Sequence, residues 1–249
     1  LLYVGIMQFI DLASQQKKIK EQIDIRIKNV FEHGKYIMGP EVFELEKKLA
    51  EYVQTKHCIT CSSGTDALLI PLMAKGIGNG DAIITTTFTY IATAEVISLL
   101  GATPIFIDIY PKTYNLNPEL IPNAIQHAHM NGLNPKALIS VDLFGLPARY
   151  RIIQDIAKKY DLFVIEDGAQ GFGGKIKDKV VGSFGDIAST SFFPAKPLGC
   201  YGDGGAIFTD NDDLAEIMRS IRIHGSGDNK YNNIRIGING RLDTIQAAI

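Results

Sequence analysis

The chain has 249 residues, 46% of them hydrophobic and 21% charged, with 25 basic against 27 acidic side chains for a net charge of −2. That balance gives no general electrostatic pull toward nucleic acid or an anionic membrane. No apolar run reaches the roughly 18 residues of a membrane span, and three cysteines, Cys58, Cys61 and Cys200, suit a reducing cytoplasm better than a disulfide scaffold.

The opening LLYVGIMQFI is apolar but short. It has neither a basic n-region nor a small-residue cleavage site, so it does not read as a signal peptide, and Met7 stands as a natural start. Ile19, Ile23, Ile27 and Val30 recur at helical spacing before a stop at Gly34. Residues 1–35 thus read as an N-terminal segment and helix, and 36–249 as one large domain. Pro40 suits the first turn of a second helix whose stripe is Val42, Leu45, Leu49 and Val53.

From there strands and helices alternate. HCITC leads to a helix from about Thr65, AIITTTF to one from about Tyr90 to Leu100, TPIFIDI to one from about Pro118, and KALISVDLF to one from Ala148 to Tyr160. LFVIED and DIASTSF follow. The strand cores are continuously apolar, as when helices cover both faces of a sheet. The pattern is α/β with a mainly parallel central sheet. Pro71 falls inside the helix after HCITC, where a kink is expected. HGSGDNKYNN, residues 224–233, reads as a mobile surface loop. LDTIQAAI ends the chain as a helix interior without a stop. The sequence is therefore expected to continue, with Ile245, Ala248 and Ile249 forming a face that packs on residues beyond.

The C-x-x-C of Cys58 and Cys61 suggests metal or dithiol chemistry. In a strand, however, positions i and i+3 point to opposite faces, and there is no second pair. No metal site is assigned.

Ligands of parallel α/β sheets sit at the carboxyl ends of the strands. After HCITC comes SSGTDAL, where Gly64, Thr65 and Asp66 open a helix. Its free amides make either a phosphate seat or an ordinary cap by Ser63 or Thr65. After AIITTTF comes Tyr90, either a core aromatic or one that lies flat against a planar ring. After LFVI come Glu166 and Asp167. At most one of these acids is expected to be buried, and that one opposite a positive partner: either both are solvated loop acids, or Asp167 is buried facing a cationic heterocycle. After DIASTSF come Ser191 and Lys196, the latter in SFFPAKPLGCYGDGG. A lysine in a confined pocket condenses with aldehydes. One ligand has a phosphate, a flat ring, a cationic ring nitrogen and an aldehyde: pyridoxal 5′-phosphate.

The motifs YIMGPEV, SSGTDAL, GDAIITTTFTYIATAEVI, EDGAQ, SFFPAKPLGCYGDGG and NGRLDTIQAA, in this order, resemble the DegT/DnrJ/EryC1/StrS sugar aminotransferases, fold-type-I pyridoxal-phosphate enzymes. Within that family the chain looks most like enzymes that aminate the 3-keto carbon of a UDP-N-acetyl-hexosuronic acid. The resemblance implies that Lys196 binds the cofactor's aldehyde carbon and Asp167 its pyridine nitrogen. Gln170 would sit at the ring hydroxyl and Tyr90 on the ring face. Gly64, Thr65, Asp66 and Ser191 would hold the phosphate. Asn239 would reach the cofactor of a second subunit, with Arg241 near the same substrate site, so that a homodimer shares its active sites. A nucleotide-linked keto sugar and glutamate would be the substrates, in polysaccharide or O-antigen biosynthesis in the cytoplasm. A dehydratase or epimerase on the same scaffold would carry His in place of Lys196; an inactive pyridoxal-phosphate regulator is the other alternative. A dinucleotide dehydrogenase lacks its G-x-G-x-x-G. The family has a smaller C-terminal domain that is not in this sequence, and Gly168 stands where the family pattern has Ala.

Overall fold

A computed structural model describes residues 10–229 and 231–249. Most of the opening LLYVGIMQFI, Met7 included, lies outside the described residues. Helix α1 (Leu12–His33) begins at an Asp11 cap, whose carboxylate accepts from the Ser14 N–H, and stops at Gly34 in left-handed geometry. Of its predicted stripe only Ile23 and Val30 are buried, while Ile19 and Ile27 are not. α1 packs along one side only, chiefly on the final helix. Helix α2 (Pro40–Val53) starts at Pro40 and buries Val42, Leu49 and Val53.

Seven strands form one sheet in the order β1 (His57–Cys61), β9 (Gly205–Thr209), β8 (Ile187–Ser191), β5 (Phe163–Asp167), β4 (Asn134–Val141), β2 (Asp81–Thr86), β3 (Thr103–Ile107). Only β9 runs against its neighbours. A small hairpin, β6 (Lys175–Ile176) and β7 (Lys179–Val180), lies apart. On one face sit α3 (Gly64–Ala74), α4 (Ala92–Leu99) and α7 (Asp212–Ile221). The other carries α2, α5 (Ile121–Met130) and α6 (Tyr150–Tyr160). Helices on both faces explain the unbroken apolar strands.

Register decides side-chain direction. Ile165 pairs with Ile187 and Asp167 with Ser189, so these face α3 and α4, whereas Glu166 pairs with Ala188 and faces the other way. Cys58 belongs to the core under α2 and Cys61 to the core under α3, so the two thiols diverge. Helical backbone continues across Pro71 from Gly64 to Ala74, and the proline does not end α3. Residues 224–229 and 231–233 form turns joined by a Ser226–Asn233 bridge. In the last helix, α8 (Thr244–Ala248), Ala248 is buried, and its carbonyl accepts from Arg26 Nε at 3.0 Å. α8 packs on α1 and α2. Ile245 and Ile249 are half-buried.

Gly168 directly follows β5. A Cβ built there lies 2.6 Å from Val181 Cγ1 and 3.0 Å from the Ser189 carbonyl oxygen. Glycine is needed here for space. Gly168→Ala is therefore expected to cost about 1–3 kcal/mol through overpacking, read from the urea midpoint. Adding Val181→Ala should return part of that loss.

Candidate active site

The carboxyl ends of β1, β2, β5 and β8 converge on one cavity of about 340 Å³. α3 enters it by its N-terminus. Ser63 caps the helix, its Oγ accepting from the Asp66 N–H at 3.0 Å. The Ala67 N–H goes to the Ser63 carbonyl. The Gly64 and Thr65 amides remain at the positive end of the helix, a seat for an anion. Gly64 is fixed by close approach, because a Cβ there would lie 2.6 Å from Ser191 Cβ and 2.9 Å from its hydroxyl. Any side chain at 64 would push the helix end away from Ser191, whose hydroxyl lies beside it.

Lys196 sits on the loop between β8 and β9, its N–H bound to the Phe193 carbonyl at 2.8 Å. The loop is closed at its base by Phe192 N–H to Gly204 O at 2.7 Å. The Lys196 side chain is half-buried and lines the cavity together with Asp167, Tyr90, Gln170, Thr65 and Ser191. Tyr90 is 68% exposed: it is a wall of the cavity and not a core aromatic. Gln170 also lines the cavity, and its Oε1 accepts from the Phe144 N–H at 3.2 Å.

Asp167 is 5% exposed. Its Oδ2 accepts from Thr93 Oγ1 at 2.9 Å and its Oδ1 from the Ala169 N–H at 3.2 Å. Burial pushes this carboxyl above the usual range, while the Thr93 hydroxyl, the Ala169 amide and the Lys196 charge pull it down. It is a desolvated carboxyl group that lines the cavity, a setting that favours a cationic partner.

Glu166 corrects the expectation that only one of the adjacent acids is buried: it is 0% exposed. No positive side chain is needed, because the N–H groups of Gly182, Phe184 and Gly185 donate to its two oxygens at 2.6, 2.6 and 3.3 Å. Beside it lies Asp142, also fully buried, whose Oδ1 accepts from Ala148 N–H and Tyr150 Oη. Asp142 Oδ2 has no donor as a carboxylate; protonated, it donates to Glu166. Burial and the Glu166 charge push Asp142 well above the carboxylate range. A raised folded-state pKa contributes stability below the unfolded value and loses it as pH rises through the folded value. Asp142→Asn, which keeps a donor toward Glu166, is thus expected to be more stable than wild type at alkaline pH and no better in acid. Thermal midpoints measured across pH check this.

Asp66, Asn239 and Arg241 are not brought to the cavity wall. Asp66 is taken by the Ser62 hydroxyl. Asn239 is exposed, and Arg241 is half-buried with its Nε unpartnered. Their segment is nevertheless anchored next to α3, since the Ser62 N–H donates to the Gly240 carbonyl at 3.0 Å. Thr93 was not singled out in the sequence. Its only signal is a position three residues after Tyr90 on a helix start.

Pyridoxal 5′-phosphate fits this donor set. The Gly64 and Thr65 amides and the Ser191 hydroxyl suit its phosphate. Asp167 suits a protonated ring nitrogen, Gln170 a ring oxygen, Tyr90 a ring face and Lys196 an aldehyde.

Residues 17–249 match the model of the DegT/DnrJ/EryC1/StrS aminotransferase family. The chain belongs to that family. It is 53% identical over 244 residues to the UDP-2-acetamido-2-deoxy-3-oxo-D-glucuronate aminotransferase of Pseudomonas aeruginosa, with 98% of this chain and 66% of the relative aligned. A crystal structure of a DegT/DnrJ/EryC1/StrS aminotransferase from Brucella abortus superposes with a TM-score of 0.95 at 53% identity, covering 97% of this chain and 65% of that one. A Bacillus subtilis member of the fold, crystallised with bound cofactor PMP, gives 0.89 at 34% identity, covering 97% and 54%. The chain thus spans between about half and two thirds of the length of these proteins.

Proposed function

We propose that this chain carries the cofactor site of a pyridoxal-phosphate transaminase that turns a nucleotide-linked keto sugar into an amino sugar, with glutamate as donor. The observation that carries the reading is Lys196 and Asp167 in one cavity, opposite the amide end of α3. The 3-oxo sugar in the name of the Pseudomonas relative and the PMP bound to the Bacillus one support it. The cofactor supplies an electron sink for a carbanion. Everything else falls to the chain. Asp167 keeps the ring nitrogen protonated. The α3 amides and Ser191 hold the phosphate, and Tyr90 limits the ring's tilt. Lys196 Nζ would anchor the cofactor and would carry a proton to and from the substrate carbon.

The reading extends to a homodimer. Asn239, exposed and outside its own cavity, would reach the cofactor phosphate of a second copy, with Arg241 beside the substrate. A role in the synthesis of O-antigen or a related glycan, in the cytoplasm, suits a sugar transaminase. Among the described residues no helix is long and apolar enough to cross a membrane. Lys196 speaks against the dehydratase alternative. The test is the visible spectrum of the purified protein with pyridoxal phosphate, before and after glutamate. A bound-cofactor band that glutamate converts is expected. A band that glutamate leaves unchanged would overturn transamination.

A further inference from the structure

Thr93 Oγ1 lies 2.9 Å from Asp167 Oδ2, and Thr89 Oγ1 lies 2.8 Å from Thr93 Oγ1. Thr93 is fully buried on the first turn of α4; Thr89, on the loop before it, is half-buried, and both line the cavity. Each hydroxyl has one proton, and an ionised carboxylate only accepts. The Thr93 proton is therefore committed to Asp167, and the Thr89 proton must then be committed to Thr93. The chain of donors runs one way, from the cavity wall to the carboxylate. A buried threonine on a helix that needs only a partner can use the backbone carbonyl one turn back. This one instead reaches across to β5, 74 positions along the sequence.

We propose that Thr93 is a positioning residue of the active site: it holds the Asp167 carboxylate charged and turned toward the cofactor nitrogen, and Thr89 fixes the direction of the Thr93 hydroxyl. The proposal rests on the pyridoxal-phosphate reading above. The Ala169 amide holds Oδ1 and the Thr93 hydroxyl holds Oδ2. Together they set the plane of the carboxylate, leaving its remaining lone pairs for a ring N–H. Neither donor carries charge, so the full attraction of Asp167 is kept for the ligand. Without the hydroxyl, Oδ2 would face an apolar wall, and the buried carboxyl would take up a proton instead of meeting a cation.

The test uses the full chain as Thr93→Val, Thr93→Ser and Thr89→Ala, with pyridoxal 5′-phosphate as probe. Two readouts are needed: the dissociation constant by equilibrium dialysis, and the pH midpoint of the bound-cofactor absorbance. The other ionisable groups about Asp167 are Lys196 on the loop after β8, Asp203 ahead of β9, Tyr90 ahead of α4, and Glu166 with Asp142 behind β5. All are unchanged in these variants. Loss of a hydrogen bond to a charged group predicts binding weakened roughly 10-fold or more in Thr93→Val, with a displaced pH midpoint. Thr93→Ser should stay within about 2-fold of wild type, and Thr89→Ala should fall between the two. Thr93→Val matching wild type in both readouts overturns the proposal, and so does Thr93→Ser behaving like Thr93→Val. Should Thr93→Val fail to fold by circular dichroism, Thr93→Ala and Thr89→Val are read by the same criteria. A wild-type chain that takes up no pyridoxal phosphate overturns the function itself, a result distinct from any ranking of the variants.

Discussion

Lys196→Ala is expected to lower transamination by about four orders of magnitude, the upper range for loss of a positioned proton carrier, while the protein stays folded. The side chain lines a cavity and is only half-buried, so its removal leaves no hole in a packed core. The fold of its loop is set by backbone bonds, Phe192 to Gly204 and Cys200 to Phe192, and these survive truncation at Cβ. Activity and stability should therefore separate: a rate near background, an unchanged urea midpoint, and no cofactor retained after borohydride and denaturation. Pyridoxal phosphate should still bind reversibly, because the α3 amides, Ser191 and Asp167 remain. Near-normal turnover in this variant would remove Lys196 from the mechanism.

How much of this was legible in the sequence varied with the kind of signal. The alternation of apolar strands and amphipathic helices gave the α/β class, since both faces of the sheet are buried and the strands carry no polar alternation. β9 was missed because GAIFT, Gly205–Thr209, follows a glycine-rich stretch that reads as loop, and its antiparallel pairing with β8 and β1 is a tertiary choice. α7 was missed despite a plain start. Asn211 caps it by accepting from the Leu214 N–H, and Ala215, Met218 and Ile221 are buried one turn apart. The α1 stripe was over-read, because periodicity reports a face that can be buried and not the neighbours that bury it.

The site was legible where chemistry restricts residue type at a strand end. Lys196, Asp167, Tyr90, Gln170, Ser191, Gly64 and Thr65 all meet in one cavity. What the sequence could not give was the support behind them. The burial of Glu166 depends on three backbone amides from residues 182–185, and backbone amides have no sequence signature. Thr93 looks like any helix threonine until β5 is placed beside it. Asn239 and Arg241 fall outside the cavity, so their proposed roles depend on a second copy.

Asp167→Asn carries the second large effect, and its signature is two-sided. The asparagine keeps the volume but replaces one acceptor by an N–H₂ group. That group must face the Ala169 N–H or the ring N–H, each itself a donor, or the Thr93 hydroxyl, which can accept from it only by reversing its hydrogen bond with Thr89. The loss of a preorganised charge in a dry site is worth roughly 10²–10³ in rate, about 3–4 kcal/mol. Stability without cofactor should move the other way. Burial raises the Asp167 pKa in the folded chain, so this carboxylate contributes stability only in acid and loses it as pH rises through the folded value. At neutral pH the cofactor-free Asn variant should thus melt above wild type, and the advantage should vanish in acid. Truncating a structural carboxylate should instead lower stability at neutral pH. Glu46, buried with Arg222 at 2.5 Å and accepting from Thr60 N–H, should cost about 3–5 kcal/mol when truncated to Ala, because it leaves a buried guanidinium unpaired. Melting both variants across pH, alongside their rates, distinguishes a carboxylate held for function from one held for the fold. An Asp167→Asn protein that lost stability at neutral pH in parallel with activity would place Asp167 with Glu46, among the groups that only hold the fold together.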